Sequence, residues 1–470
     1  MALVNTILGI YNKIPLELLN LVAPVYHLLP CSRKYGNVFQ KQYELLYEQE
    51  KMSKEQRAVI ENKMFTQAVR NAYENVPYYQ KMFEENELDI SEIVSVEDAH
   101  KIPFLTKDII RDNLDEMISD KTKKDELTYL TTSGSTGNPL GFYQDKDILM
   151  REWAYVNYIW GRIGYKPDSS RLILRGKVFR EQKRKGQNWQ WDAMKRELSC
   201  NIFDMTEDNL KLYCEKIEKY KPEYIHGYMS AIILLCKYIE KYPIKHQFTG
   251  ILATSETVLE NQREYVEHVL NARVFSFYGH SERLVIAGEC ETCTEYHVEP
   301  TYGYAEIVDA NGTVITEPGV EGELVTTGFM NTGMPLIRYK TGDIAVWSED
   351  TECVCGRNHR RLAYVSGRWK QDVLVNSEGA LVSLTALNMH SKVFDHIVKY
   401  QFYQEEKGEA ILKVVPTSEY CNEDKFEIEK QINEKTGNKI KLLVCEVEDI
   451  PLNKNGKYKI VDQRIKLEAF

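Results

Sequence analysis

From about Leu127 onward, short apolar runs alternate with stretches whose apolar residues recur at helical spacing: "RLILRG" at 171–176, "EYIHGY" at 223–228, "GILATSE" at 250–256 and "RVFSFYG" at 273–279. That alternation predicts an α/β body. Ahead of it, Lys54 to Asn75 carries Val59, Ile60, Met64, Ala68, Val69 and Ala72 at helical spacing, followed by "VPYYQKMF" and "IPFLTKDIIRDNL", which read as helices joined by proline-containing turns. Beyond it the pattern changes. "AEIVDANGTVITEPGVEGELVTTG", from Ala305, has the alternation and the Asn-Gly and Pro-Gly signals of hairpins. Near Arg368 a further unit begins, an α+β domain of about a hundred residues with a helix at Lys425 to Lys435.

A chain of 470 residues exceeds what one core usually serves, so a large domain with a smaller partner is expected. With 60 Lys and Arg against 70 Asp and Glu, the net charge of −10 argues against a general nucleic-acid binder and points to small-molecule partners. Residues 1–30 are strongly apolar, but Lys13, Pro15 and Glu17 interrupt them and no cleavage site follows a basic start. They read as an amphipathic lead-in packed on the body, with peripheral membrane contact as the lesser alternative. Ten cysteines without an export signal imply a reducing, cytoplasmic setting, where metal binding outranks disulfides. Oligomeric state is left open.

"TTSGSTGNPLG", from Thr131, concentrates hydroxyls and glycines as a polyphosphate cradle would, through Ser133, Gly134, Ser135, Thr136 and Gly137. A solvated turn is the ordinary alternative, and the lysine of the common triphosphate loop is missing after Gly137. Four stretches follow in order: "FSFYGHSER" (275–283), "PLIRYKTGDIA" (335–345), "SGRWKQDVLV" (366–375) and "PLNKNGKYKI" (451–460). Together these five resemble the adenylate-forming superfamily, and the "AYENVPYYQKMF" and "IPFLTKDIIRDN" segments resemble its branch of phenylacetate-CoA ligases, coenzyme-F synthetase and CapK proteins.

The resemblance implies an α/β N-terminal AMP-binding domain over residues 1–367, with 1–53 as the lead-in, stacked β-sheets, flanking helices and a small β-barrel-like part. It implies a mobile α+β lid over 368–470. The implied activity is that of an acid-CoA ligase: a carboxylic acid and ATP give acyl-AMP, and an acceptor thiol, amine or hydroxyl, by default CoA, takes the acyl group. A CapK-type transferase of surface-glycan synthesis, a nucleotidyltransferase and a degenerate scaffold are the alternatives. By resemblance, Glu282 holds Mg²⁺, Asp343 accepts the ribose hydroxyls, and Tyr278 with Gly279 and Ser281 borders the adenine and phosphates. Ser255 and Glu256 fall in the nucleotide pocket, Thr136 and Lys457 act in adenylation, and Arg368 and Lys370 mark the hinge. The acid pocket of relatives is built near "HGYMSA" (226–231) and "SFYGH", where Tyr228, Met229 and His280 select no particular substrate.

Two close-set groups, Cys290, Cys293 and His297 in "CETCTEYH" and Cys353 and Cys355 in "CVC", suit a structural Zn²⁺ taking four of the five; buried apolar cysteines are the alternative. The basic, aromatic "GKVFREQKRKGQNWQWD" (176–192) reads as a solvated loop, with CoA phosphates or a glycan carrier as candidate ligands.

Overall fold

The computed structural model describes residues 14–50, 52–132, 140–176, 188–350, 352–366, 373–387, 392–450 and 460–465. The helix Lys54–Asn75 starts at Ser53, whose hydroxyl and Gln56 form a reciprocal capping box. Its buried stripe runs through Arg57, Phe65, Val69 and Ala72, whereas Val59 is 67% exposed. An apolar count misses this register because Arg57 belongs to the buried face: its guanidinium donates to the carbonyls of Gln49 and Glu50. Pro77 opens the next helix at its first turn, where no N–H is needed.

A hairpin, β1 (Leu127–Thr131) and β2 (Gly141–Asp145), comes next. One continuous ladder of twelve strands then forms the body. Its first half contains β3 (Arg171–Leu174), β4 (Trp189–Asp192), β5 (Glu197–Cys200), β6 (Tyr224–Gly227), β7 (Gly250–Ala253) and β8 (Val274–Gly279). Within it β5, β3, β6, β7 and β8 run parallel, and β4 pairs antiparallel with β5 at the edge. β3, β6 and β7 are buried at every residue. A parallel sheet covered by helices on both faces requires that continuous apolar reading.

β4 corrects the expectation of a solvated loop across 176–192: Trp189–Asp192 is an edge strand with Gln190 and Asp192 buried, and Trp191 stacks on Tyr220 at 4.6 Å. The basic part of that stretch, 177–187, lies outside the described residues.

The second half comprises β9 (Ile286–Gly288), β10 (Tyr296–Val298), β11 (Gly303–Val308), β12 (Glu321–Gly328), β13 (Tyr339–Trp347) and β14 (Arg361–Ser366), antiparallel throughout. β8 joins the halves. Its residues Val274–Ser276 pair parallel with β7, and Phe277–Gly279 pair antiparallel with β9. The expected Asn-Gly turn is present: Asp309 accepts from the N–H groups of Asn311 and Thr313 at 2.8 Å each, and Gly312 takes φ +85°.

Residues 373–465 build their own layers. A hairpin of β15 (Val373–Val375) and β16 (Leu381–Ser383) precedes β17 (Ile397–Gln404), β18 (Glu409–Pro416), β19 (Lys441–Glu446) and β20 (Val461–Gln463), ordered β19-β18-β17-β20 and backed by the helix Asn422–Lys435. Polar contacts tie this part to the body: Asn376 donates to the Phe203 carbonyl at 2.8 Å, Lys439 pairs with Asp204, and the Tyr129 hydroxyl donates to Asp395 at 2.9 Å.

Candidate active site

The hydroxyl- and glycine-rich loop joins β1 to β2, and its two ends are pinned together. Thr131 faces Gly141 in the ladder, the Thr132 N–H donates to the Leu140 carbonyl at 2.9 Å, and the Leu140 N–H donates to the Thr132 hydroxyl at 3.0 Å. Gly141 lets the Tyr129 ring lie over the ladder, since a Cβ there would stand 2.0 Å from the Tyr129 hydroxyl and the ring would have to shift. Ser133, Gly134, Ser135, Thr136 and Gly137 lie outside the described residues, as do Arg368, Lys370 and Lys457.

β2 reaches the turn after β8 through Gln144, whose amide donates to the carbonyls of Ser281 and Glu282 at 3.4 and 3.3 Å. That turn holds Glu282 nearly buried. Its carboxylate accepts from the Tyr339 hydroxyl at 2.8 Å on one oxygen and lies 3.0 Å from His280 Nδ1 on the other. Burial by itself would raise the Glu282 pKa, but His280, Lys107 and Tyr339 outweigh it and lower the carboxyl to about 2. The group is therefore an ionised carboxylate across the physiological range. Arg283, at φ +56°, is held there by bonds to Gln144 and, at 2.5 Å, to Glu152. His280 Nε2 is buried with no partner among the described residues.

Asp343 is delivered by a bulge. Opposite the single residue Leu324, between the pairs Glu323–Ile344 and Val325–Lys340, β13 inserts Thr341, Gly342 and Asp343, with Gly342 at φ +74°. The displaced Asp343 carboxylate accepts from the Tyr278 hydroxyl at 2.7 Å, joining the last turn of β8 to the second half of the sheet. Burial, then the Asp343 charge, pushes the Tyr278 phenol well up, so it stays a donor. Gly279 ends β8 beside this pair, and Ser281 contributes its carbonyl to Gln144.

After β7, Ser255 takes φ +61°, and Glu256 accepts from the Ser230 N–H and hydroxyl at 2.8 and 2.9 Å, across the first turn of the helix Met229–Lys241. Glu282, Tyr278 and Asp343 thus come together with the loop ends through Gln144, while Ser255 and Glu256 lie at the neighbouring strand end. Reading motifs singly missed Tyr339, His280 as a partner of Glu282, and Gln144. The signal for Tyr339 was in plain view, four residues before Asp343 in "RYKTGD".

A second constellation lies beyond β9. Cys290 Sγ is 3.4 Å from Cys293 Sγ and 3.7 Å from Cys353 Sγ; Cys293 Sγ is 3.8 Å from Cys353 Sγ and 3.9 Å from His297 Nε2. Four donors on a tetrahedral ion with bonds of about 2.3 Å are separated by about 3.8 Å, so a cluster with these separations could hold such an ion. Cys355 Sγ lies 3.8 Å from the same His297 nitrogen but outside the group of four mutually close donors, Cys290, Cys293, His297 and Cys353. Hydrogen bonding from Cys293 draws the Cys290 thiol well down and favours thiolate there, while the same bond and burial push the Cys293 thiol up; Arg361 Nη1 lies 3.9 Å from Cys293 Sγ. All ten cysteines are free thiols.

Comparison with known proteins shows what the chain is similar to. Residues 374–464 match the family model of the CapK C-terminal domain. Protein CapK of Staphylococcus aureus is 25% identical over 410 residues, spanning 86% of this chain and 88% of that protein. Phenylacetate-coenzyme A ligase of Aromatoleum evansii is 27% identical over 334 residues, spanning 69% and 73%. In fold, the chain is similar to 2-hydroxyisobutyryl-CoA ligase, solved with 2-HIB-AMP and CoA in the thioesterification state (TM-score 0.58, 17% identity, 88% of this chain and 91% of that one).

Proposed function

We propose that this chain, a relative of CapK and the phenylacetate-coenzyme A ligases with the adenylate-forming fold, is an ATP-dependent acid ligase. A carboxylate oxygen attacks the α-phosphorus of ATP, pyrophosphate leaves, and the acceptor, by default the CoA thiol, then attacks the acyl carbon and releases AMP. The observation that carries the reading is the meeting of Tyr278, Asp343 and Glu282 at the turn after β8, tied by Gln144 to the hairpin that bears the hydroxyl-rich loop.

In this reading Asp343 receives the ribose, since a carboxylate accepts two hydroxyls. Glu282, ionised and oriented by Tyr339 and His280, is a hard oxygen ligand fit for Mg²⁺, which would neutralise phosphate charge. The loop residues Ser133 to Gly137, Lys457, and the hinge residues Arg368 and Lys370 keep the roles that the resemblance implies, with residues 1–367 as the AMP-binding part and 368–470 as the lid. The Cys/His cluster would hold one structural Zn²⁺, with Cys290, Cys293, His297 and Cys353 as the set and Cys355 in reserve. We place the enzyme in the cytoplasm, where free thiols persist.

Among the described residues no helix is long and apolar enough to cross a membrane. The helix Leu16–His27, however, leaves Leu18, Leu21, Val22 and Val25 more than half exposed, which supports peripheral contact through the N-terminal residues. A CapK-type acceptor on a surface glycan is the second reading, favoured by the longer span of similarity to CapK than to the phenylacetate enzyme. Pyrophosphate release from a panel of aryl, fatty and amino acids, with and without CoA, tests both. CoA-dependent AMP release supports the ligase; acid-dependent pyrophosphate release indifferent to CoA supports another acceptor; no acid-dependent release refutes both.

A further inference from the structure

The carboxyl ends of parallel strands are where an open α/β sheet binds its ligands, and the register sets which residues share that rim. Leu174 of β3 is level with Gly227 of β6, and Gly227 with Ala253 of β7, so the next row is Arg175, Tyr228 and Thr254. Gly227 makes this row tight: a Cβ on it would meet the Leu174 carbonyl oxygen at 2.8 Å. Arg175 is only half-buried. Its guanidinium donates to His226 Nε2 at 3.4 Å and lies 5.8 Å from the centre of the Tyr228 ring. His226 in turn packs on Trp160, which also meets Phe277 of β8, one residue before Tyr278.

Other arginines of the body grip carboxylates: Arg171 on Glu197, Arg263 on Glu289, Arg338 on Glu306. Arg175 has no carboxylate partner among the described residues. The carboxylate that reacts belongs beside the nucleotide, at the Tyr278 end of this rim, three strands away from Arg175. A guanidinium held at the other end by a ring face and an imidazole presents its planar fork to a different oxyanion.

We infer that Arg175 is the receptor for a second anionic group, a carboxylate or a phosphate, on the distal end of the acid substrate, so that the acid activated is dianionic. The inference rests on the ligase reading and narrows it to a substrate class. The full chain is assayed without CoA, by acid-dependent exchange of pyrophosphate into ATP, on acids that differ only in the distal group: hexanoate against adipate, and phenylacetate against 4-carboxyphenylacetate and 4-phosphonooxyphenylacetate. The wild type should favour a dianionic member by at least about tenfold in kcat/KM, the common gain from one added charge-assisted pair. Arg175→Gln should bring that ratio close to one, and Arg175→Lys should keep part of it. The carboxylate and phosphate arms identify the group. A ratio near one in the wild type, a ratio untouched by Arg175→Gln, or an effect confined to the CoA half-reaction overturns the receptor. Calorimetric binding of the same acids separates the two claims: if no acid drives exchange the ligase reading fails, and the receptor then stands only if Arg175→Gln abolishes binding of the dianionic acids.

Discussion

The two halves of the long sheet position functional groups in different ways. In the parallel half, residues arrive at the rim because a strand ends there: Arg175, Tyr228, Ser255 and Tyr278 sit at or beyond the ends of β3, β6, β7 and β8. Helices bury these strands on both sides, and the rim needs no special device. The antiparallel half delivers Asp343 by a three-for-one bulge and gathers its Cys/His donors from β10 and the loops that precede β10 and β14. One half relies on burial and the other on local chemistry, so they should fail differently. Damage to the rim should cost catalysis with the fold intact; damage to the cluster should cost the fold first.

The largest expected effect is at the junction. Glu282→Gln keeps the shape and the Tyr339 bond but removes the charge, and should reduce acid-dependent exchange by about 100-fold and raise the Mg²⁺ requirement, with melting little changed. An equal loss of stability and activity would make Glu282 structural. Next comes the cluster. The double variant Cys353→Ser, Cys355→Ser should lose about one Zn²⁺ per chain by elemental analysis and melt lower by roughly 5 °C or more, while the folded fraction retains turnover. Protein that contains no metal and melts the same with a strong chelator would return these thiols to ordinary packing.

Smaller is the bulge. Gly342→Ala meets an unfavourable positive φ costing about 1 kcal/mol and should raise the KM for ATP several-fold by shifting Asp343, more than it alters kcat. An unchanged KM would separate the bulge from nucleotide binding. The smallest effect belongs to the C-terminal part. A hydrogen bond to Asp424 raises the His396 pKa, so the stabilisation it brings is complete below the unfolded histidine value and fades as pH rises through the folded one. Thermal melts between pH 5.5 and 8.5 should show this slope, and His396→Gln should flatten it.

Much of this was legible in the sequence, and unevenly. The α/β body followed from short apolar runs because strands buried on two faces leave no other pattern. The five motifs pointed to a candidate site through resemblance, yet nothing in their order says that Tyr278 bonds Asp343, because that contact depends on β8 changing partners halfway along its length. Arg57 was missed as core because its burial is made tolerable by backbone carbonyls, which an apolar count does not see. Arg175 was passed over for the basic run after it. Its significance is that no carboxylate among the described residues pairs with it, a property of the fold rather than of the residue.

Transfer of oxygen from acid to nucleotide tests the central claim most directly. With both carboxylate oxygens of the activated acid labelled as ¹⁸O, attack on the α-phosphorus places one of them between acyl carbon and phosphorus, and acyl transfer leaves it on the nucleotide. The account predicts AMP carrying one ¹⁸O for each acyl group transferred and unlabelled pyrophosphate. Unlabelled AMP, or label in inorganic phosphate with ADP as the nucleotide product, would contradict it.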